Sequence, residues 1–322
     1  LKNILKLPLG VLKKAYSVTD PDASNFGRNW KMFPNKEYAS ELIYEKLIAD
    51  EPFMIARIGS TEALCLTNYL AVKYPNKFKN VKTYIKGQTP PWWWEKATID
   101  QMQRWSGFFP GNIEKIEQFC ELMLSDLLNV DLLGSWLKEE KFFSEHLINA
   151  KRVMLEDLEP FFVNKPWTAA LANKKVLVVH PFEETIQQQF LIKDKLFDNK
   201  LLPDFELITI KAVQTIAGEI SNFNDWFEAL DSMKEKIAAI NFDICILGCG
   251  AYGLPLASYV KGLGKKAIHL GGVTQLLFGI KGKRWENFIV YPYENLYNDF
   301  WVRPGEKERP RNAQIVEGAC YW

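Results

Sequence analysis

A charge surplus is missing from this 322-residue chain: forty lysines and arginines meet thirty-nine aspartates and glutamates, leaving a net charge of +1. No global field is therefore available to hold nucleic acid or an acidic partner, and any basic surface must be local. Histidine is scarce, with only His146, His180 and His269, none within metal-ligand spacing of another, which excludes a histidine-rich metal site. The five cysteines, at 65, 120, 245, 249 and 320, form an odd set without a C-x-x-C pair. That argues against a disulfide framework or a zinc site and predicts a reduced, cytoplasmic protein. Nothing approaches the roughly 18 apolar residues needed to cross a bilayer, and nothing reads as a cleavable signal. Internal repeats are absent too.

Aromatic residues, by contrast, are plentiful: 14% of the chain, with eleven tryptophans, in an otherwise ordinary globular composition of 48% hydrophobic and 25% charged residues. The length allows two domains or one large one. Residues 1–35 read as an arm and linker. The first sixteen combine Leu1, Ile4, Leu5, Leu9 and Leu12 with Lys2, Lys6, Lys13 and Lys14, a mix suited to an anionic membrane surface, although Pro8 and Gly10 are expected to interrupt a helix there. Peripheral attachment to the inner face of a membrane and packing of the arm on its own domain are the two readings.

From residue 36 the apolar period alternates. A helix is expected over 37–48, a strand over 53–57 and a helix over 61–72, then an aromatic loop at 90–94, polar helices near 112–128 and a short apolar run at 130–133. Pro160, Pro166 and Asn173 mark a boundary between an amino-terminal α/β half, 36–165, with a helical, aromatic insertion, and a carboxy-terminal half, 166–322. The second half is more regular: strands at 175–180, 205–210, 243–247 and 266–270, with helices at 183–197, 224–240 and 252–263 between them. Such alternation predicts an α/β fold, a Rossmann-like parallel sheet with helices on both faces. Ligands of these sheets sit at the carboxyl ends of the strands. Those ends carry His180 followed by Glu183 and Glu184, then Lys211, then Gly248-Cys-Gly-Ala-Tyr-Gly253, then His269-Leu-Gly-Gly272.

Gly248 to Gly253 matches G-x-G-x-x-G between a strand and a helix, where backbone amides can meet a diphosphate. A dinucleotide site would need an acid at the end of the next strand to hold a ribose, and His269 stands there instead. A phosphate or nucleotide-sugar site, a dinucleotide site and a purely structural turn all remain open on the spacing alone.

The run Asp243, Gly250, Ala257, Lys261, Gly264, Ala267, Ile268, His269 and Gly271, together with Phe53-Met-Ile-Ala-Arg-Ile-Gly-Ser-Thr-Glu62, resembles the GT-D fold glycosyltransferases, bacterial enzymes of surface polysaccharide and glycan assembly. The second stretch is similar to their Arg-x-Gly-Asp-Gly-Glu element. The resemblance covers about residues 53–285. It implies a nucleoside-diphosphate sugar donor, most often a UDP-hexose, and a saccharide or lipid-linked glycan acceptor.

Ser60 departs from the pattern by replacing the first acid of the family's Asp-x-Glu pair, which removes a carboxylate from any Mg2+ or Mn2+ site. The lone Glu62 then implies either weak binding of Mg2+ or Mn2+ or compensation by Arg57, Lys211, His269 and amide donors, and no metal ligand set is assigned. Glu62, and less directly Glu184, are the candidate catalytic bases. The expected nucleotide-sugar contacts are Arg57, Gly59, Ser60, His180, Lys211, Gly248, Gly250, Tyr252, His269, Gly271 and Gly272, and Trp92, Trp93 and Trp94 are expected to stack on acceptor sugars. The basic stretch 279–285, with Lys281, Lys283 and Arg284, reads as a phosphate contact or a solvated turn. A nicotinamide-dependent oxidoreductase of Rossmann type and a non-catalytic nucleotide- or glycan-binding module are the rival classes.

Overall fold

The computed structural model describes residues 6–19, 34–219, 221–286, 288, 291–316 and 318–322, and in it seven short strands form one all-parallel sheet. The strands are β1 (Phe53–Arg57), β2 (Leu132–Ser135), β3 (Lys151–Met154), β4 (Lys175–His180), β5 (Glu206–Lys211), β6 (Ile244–Leu247) and β7 (Lys266–His269), in the order β3-β2-β1-β7-β6-β4-β5. The helices are α1 (Lys6–Thr19), α2 (Lys36–Ile48), α3 (Ser60–Lys73), α4 (Pro75–Phe78), α5 (Val81–Ile85), α6 (Lys96–Trp105), α7 (Ile113–Leu127), α8 (Glu183–Phe190), α9 (Trp226–Ala238), α10 (Gly253–Gly262) and α11 (Thr274–Leu277).

The central strands are continuous apolar runs because both of their faces are covered. Successive side chains alternate across the sheet. Met54, Ala56, Leu177, Val179, Cys245 and Leu247 enter a core shared with α3, α7, α9 and α10, while Ile55, Val176, Val178, Ile244, Ile246 and Ile268 enter a second core with α2, α8, α11 and the carboxy-terminal segment. Side-chain caps start three of the covering helices: Asn35 accepts the Tyr38 N–H at 3.1 Å, Asn112 the Lys115 N–H at 2.9 Å, and Asp225 those of Phe227 and Glu228. Residue 165 divides three strands from four, yet β1 pairs directly with β7, Phe53 opposite Lys266 and Ile55 opposite Ile268. The two halves share one sheet.

Two local expectations are overturned. α1 runs unbroken from Lys6 to Thr19, because the fixed φ of Pro8 is itself helical and a single glycine costs a helix only about 1 kcal/mol. α8 stops at Phe190 and not near 197. Beyond it the Lys195 and Leu196 carbonyls are taken by distant donors, Asn298 Nδ2 at 3.0 Å and Trp301 Nε1 at 2.9 Å, which replace helical hydrogen bonds. Leu1, Lys2, Ile4 and Leu5 of the arm and residues 20–33 of the expected linker lie outside the described residues.

Candidate active site

β4 leads through α8 to β5 on its outer side, whereas β6, its neighbour, leads through α10 to β7 in the other direction. Connections that part in this way leave a crevice at the carboxyl ends of the strands. A cavity of about 450 Å3 lies there. Its wall includes Arg57 at the end of β1 with Gly59, Ser60 and Glu62 after it, His180 at the end of β4, Gly248, Gly250 and Tyr252 after β6, and His269 at the end of β7 with Gly271 and Gly272 after it. These eleven expected residues, drawn from four strand ends, are thus brought together.

The remaining expected residues sit elsewhere. Lys211 ends the edge strand β5 in an exposed position outside the cavity, and the chain from Val213 to Ile216 reaches the wall in its place. Glu184 lies in the first turn of α8, where its N–H donates to Glu308 Oε1 at 2.8 Å, away from the cavity wall. Trp92 and Trp93 pack edge to face at 5.1 Å and both meet Tyr84, at 5.6 and 5.2 Å, while Trp94 donates through Nε1 to Glu117 at 3.1 Å. None of the three tryptophans lines the cavity.

Close approach explains the first glycine of the loop. A methyl group on Gly248 would come within 2.4 Å of His180 Cδ2 and 2.8 Å of the Thr274 hydroxyl, so the β6 turn fits against β4 and α11 only without a side chain. Gly250 is different, with φ +57° and open space where a Cβ would stand. The turn then feeds the amino terminus of α10, the end of the helix that carries partial positive charge.

Both histidines are neutral. Burial pushes His180 down to about 3, and its Nδ1 accepts the Phe182 N–H at 3.0 Å, which assigns the remaining ring proton to Nε2. His269 is also driven to about 3, first by burial and then by the Arg57 charge, and its Nε2 is packed against Gly253, where a methyl would come within 2.2 Å. Arg57 itself is desolvated, which weakens its hold on the proton. Tyr321 and Glu62 oppose that effect, and the Arg284 charge adds to it. The guanidinium lies over the Trp136 ring at 5.5 Å, and its buried Nε has no hydrogen-bond partner among the described residues. A desolvated cation with an unused donor favours an incoming anion.

The wall also holds Arg284, expected as a phosphate contact or part of a solvated turn, and several residues not singled out from the sequence. Arg284 belongs to the basic stretch already noted; its Nη1 donates to Tyr321 Oη at 2.9 Å while the guanidinium stacks on that ring at 4.6 Å. Glu156 and Glu159 also line the cavity, and Tyr293 Oη donates to Glu159 Oε2 at 2.5 Å. Their signal was present as Glu156-Asp-Leu-Glu159, three acids directly after a strand. Tyr321 and Gln275 had none, because their place depends on the path of the carboxy-terminal segment. No three His, Cys, Asp or Glu groups cluster in metal-holding geometry among the described residues. With Ser60 in the turn and a cationic Arg57 beside Glu62, the donor set does not fit a divalent cation.

Together these features define a Rossmann-like α/β protein whose ligand cavity sits at the switch point of a parallel sheet and carries cationic and amide donors. Residues 35–277 match the GT-D fold-like domain, and the chain belongs to that family, which has a glycosyltransferase-type fold. The match runs from the N-cap of α2 to the last residue of α11 and so takes in all seven strands. No curated protein and no solved structure gives a match.

Proposed function

We propose that the protein is a glycosyltransferase that moves a hexose from a nucleoside-diphosphate sugar, with UDP as the nucleotide, to a saccharide acceptor in bacterial surface-glycan assembly. The observation that carries this reading is the meeting, in one cavity, of a carboxylate on Glu62, two guanidinium groups on Arg57 and Arg284, and the amino-terminal turn of α10. Glu62 takes the proton of an acceptor hydroxyl, the hydroxyl oxygen bonds to the anomeric carbon, and the bond from that carbon to the diphosphate breaks. Charge gathers on the departing diphosphate. Arg57, Arg284, the Nε2–H of His180 and the loop amides are preorganised to receive it without solvent rearrangement. The absence of an acid at the end of β7, where His269 stands buried, favours a nucleotide sugar over a nicotinamide dinucleotide.

The test is release of nucleoside diphosphate from a panel of UDP-hexoses with and without saccharide acceptors. Glu62→Gln should lower kcat by about 100-fold or more while the melting temperature stays nearly constant. Failure of every nucleoside diphosphate to raise the melting temperature would remove the donor site from this cavity, and near-normal kcat in Glu62→Gln would remove the base.

A further inference from the structure

α1 lies on the protein with its apolar side outward. Leu9 is buried and Lys13, Tyr16 and Ser17 are half-buried on the side that packs against α5, whereas Leu7, Val11, Leu12 and Val18 are 79, 63, 51 and 78% exposed. Residues 7, 11 and 18 fall on one helical stripe, and residue 12 is exposed about 100° round from residue 11. An ordinary surface helix would bury this stripe. Instead the inward side carries a lysine, whose Nζ sits 4.8 Å from the centre of the Tyr84 ring.

The surroundings add a surplus of positive charge, although Glu121 and Glu145 pair with Lys73 and Lys77. Residues 6–19 contain three lysines and no acid, and residues 63–94, which include α4 and α5, contain five lysines and no acid. In a chain of net charge +1, these eight positive charges leave the rest of the molecule negative. Lys77, Lys79 and Lys82 are exposed, as are the apolar Tyr74 and Val81 of the same region, at 50 and 48%. Between α1 and α5 a recess of about 340 Å3 is lined by Lys13, Lys14, Lys86, Tyr16, Ser17 and Glu95. Trp92 and Trp93 lie half-buried against Tyr84 in the same region, the amphipathic ring type that settles at headgroup depth.

We propose that the face made by α1, α4 and α5 docks on an anionic lipid bilayer, the aliphatic stripe of α1 entering the headgroup boundary and the lysines facing the lipid charges. A second copy of the chain is the poorer occupant, because two such faces would set lysine-rich surfaces against each other, and Glu95, Glu121 and Glu145 beside them balance only part of that charge. The docking face is separate from the cavity and does not rest on the glycosyltransferase reading.

Co-sedimentation of the full chain with phosphatidylcholine vesicles, with and without phosphatidylglycerol, tests the proposal. Binding is expected only with the anionic lipid and should weaken as salt is raised. Each lysine removed should lower partition about fivefold, so Lys79→Ala with Lys82→Ala should lower it about 25-fold. Val11→Asp should abolish binding without moving the melting temperature, since that side chain is exposed. Equal pelleting with neutral vesicles, no pelleting with either, or unchanged binding of Val11→Asp would each overturn the proposal. A dimer in sedimentation velocity that Val11→Asp dissolves, without vesicle binding, would assign the face to self-association instead.

Discussion

Two alanine substitutions two residues apart in the β6 turn should fail for different reasons. At Gly248 the added methyl would come 2.4 Å from His180 Cδ2 and 2.8 Å from both Cβ and Oγ1 of Thr274. Neither neighbour has room to retreat: His180 is held by the Phe182 N–H and is 3% exposed, and Thr274 is 0% exposed. Overpacking of this kind costs about 1–3 kcal/mol, or a drop of about 1.5–4.5 °C in melting temperature for a chain of this size. At Gly250 no atom lies within 4 Å of the new methyl, so the cost is only that of holding alanine at φ +57°, about 1 kcal/mol. The methyl there occupies open space in the cavity wall. Gly250→Ala should therefore keep most of its stability and lose nucleotide affinity, and Gly250→Val should lose more. Differential scanning fluorimetry with and without UDP separates the two effects. A Gly248→Ala protein melting within a degree of the parent would show that β4 and α11 do not clamp this turn, and full UDP-induced stabilisation of Gly250→Val would show that the nucleotide does not approach it.

The remaining expectations concern acid and aromatic groups. His180 and His269 sit near 3 in the folded protein against 6.5 when unfolded, so their effect on stability is absent above pH 6.5 and grows as pH falls, when only the unfolded chain takes the protons. At pH 5 each should cost about 2 kcal/mol, partly offset by Asp126, which burial raises to about 6 and which returns about 1 kcal/mol by protonating earlier in the folded state. The urea midpoint should fall between pH 7 and pH 5, and His180→Gln should shrink that fall; a midpoint flat over this range would refute the buried neutral histidines. Trp92→Ala and Trp93→Ala should leave UDP-induced stabilisation intact, because neither ring reaches the cavity, and a loss of nucleotide binding in either would place the donor elsewhere.

The carboxy-terminal strands were legible because a buried parallel strand is an uninterrupted apolar run closed by a turn signal: Lys175-Val-Leu-Val-Val-His180 and Asp243-Ile-Cys-Ile-Leu247 have few other readings. The residues at their ends could then be placed from topology alone, which is why His180, the Gly248 turn and His269 converge as expected. Lys211 illustrates the limit. Its strand was correctly read, but β5 is the sheet edge, and the chain turns toward the cavity only after that lysine. Tertiary contacts decided the other differences: the end of α8 answers to donors a hundred residues away, and Arg284 meets Tyr321 through a turn that no local pattern encodes.

The pairing of β1 with β7 has a consequence for synthesis. Phe53 finds its partner Lys266 only after more than two hundred further residues have been made. At ribosomal speeds of about 5–20 residues per second, that is a wait of about 10–40 s. Over that interval β1, β2 and β3 can pair with one another, but the inner edge of β1, Phe-Met-Ile-Ala-Arg, presents unpaired backbone groups beside apolar side chains. β4, β5 and β6 can likewise assemble into a second fragment with an open edge. β7 arrives last and closes both edges at once, Lys266, Ala267 and Ile268 pairing with β1 on one side and with β6 on the other. The nascent chain is thus most exposed to chaperones, and to its own neighbours on a polysome, until the strand bearing His269 has left the ribosome.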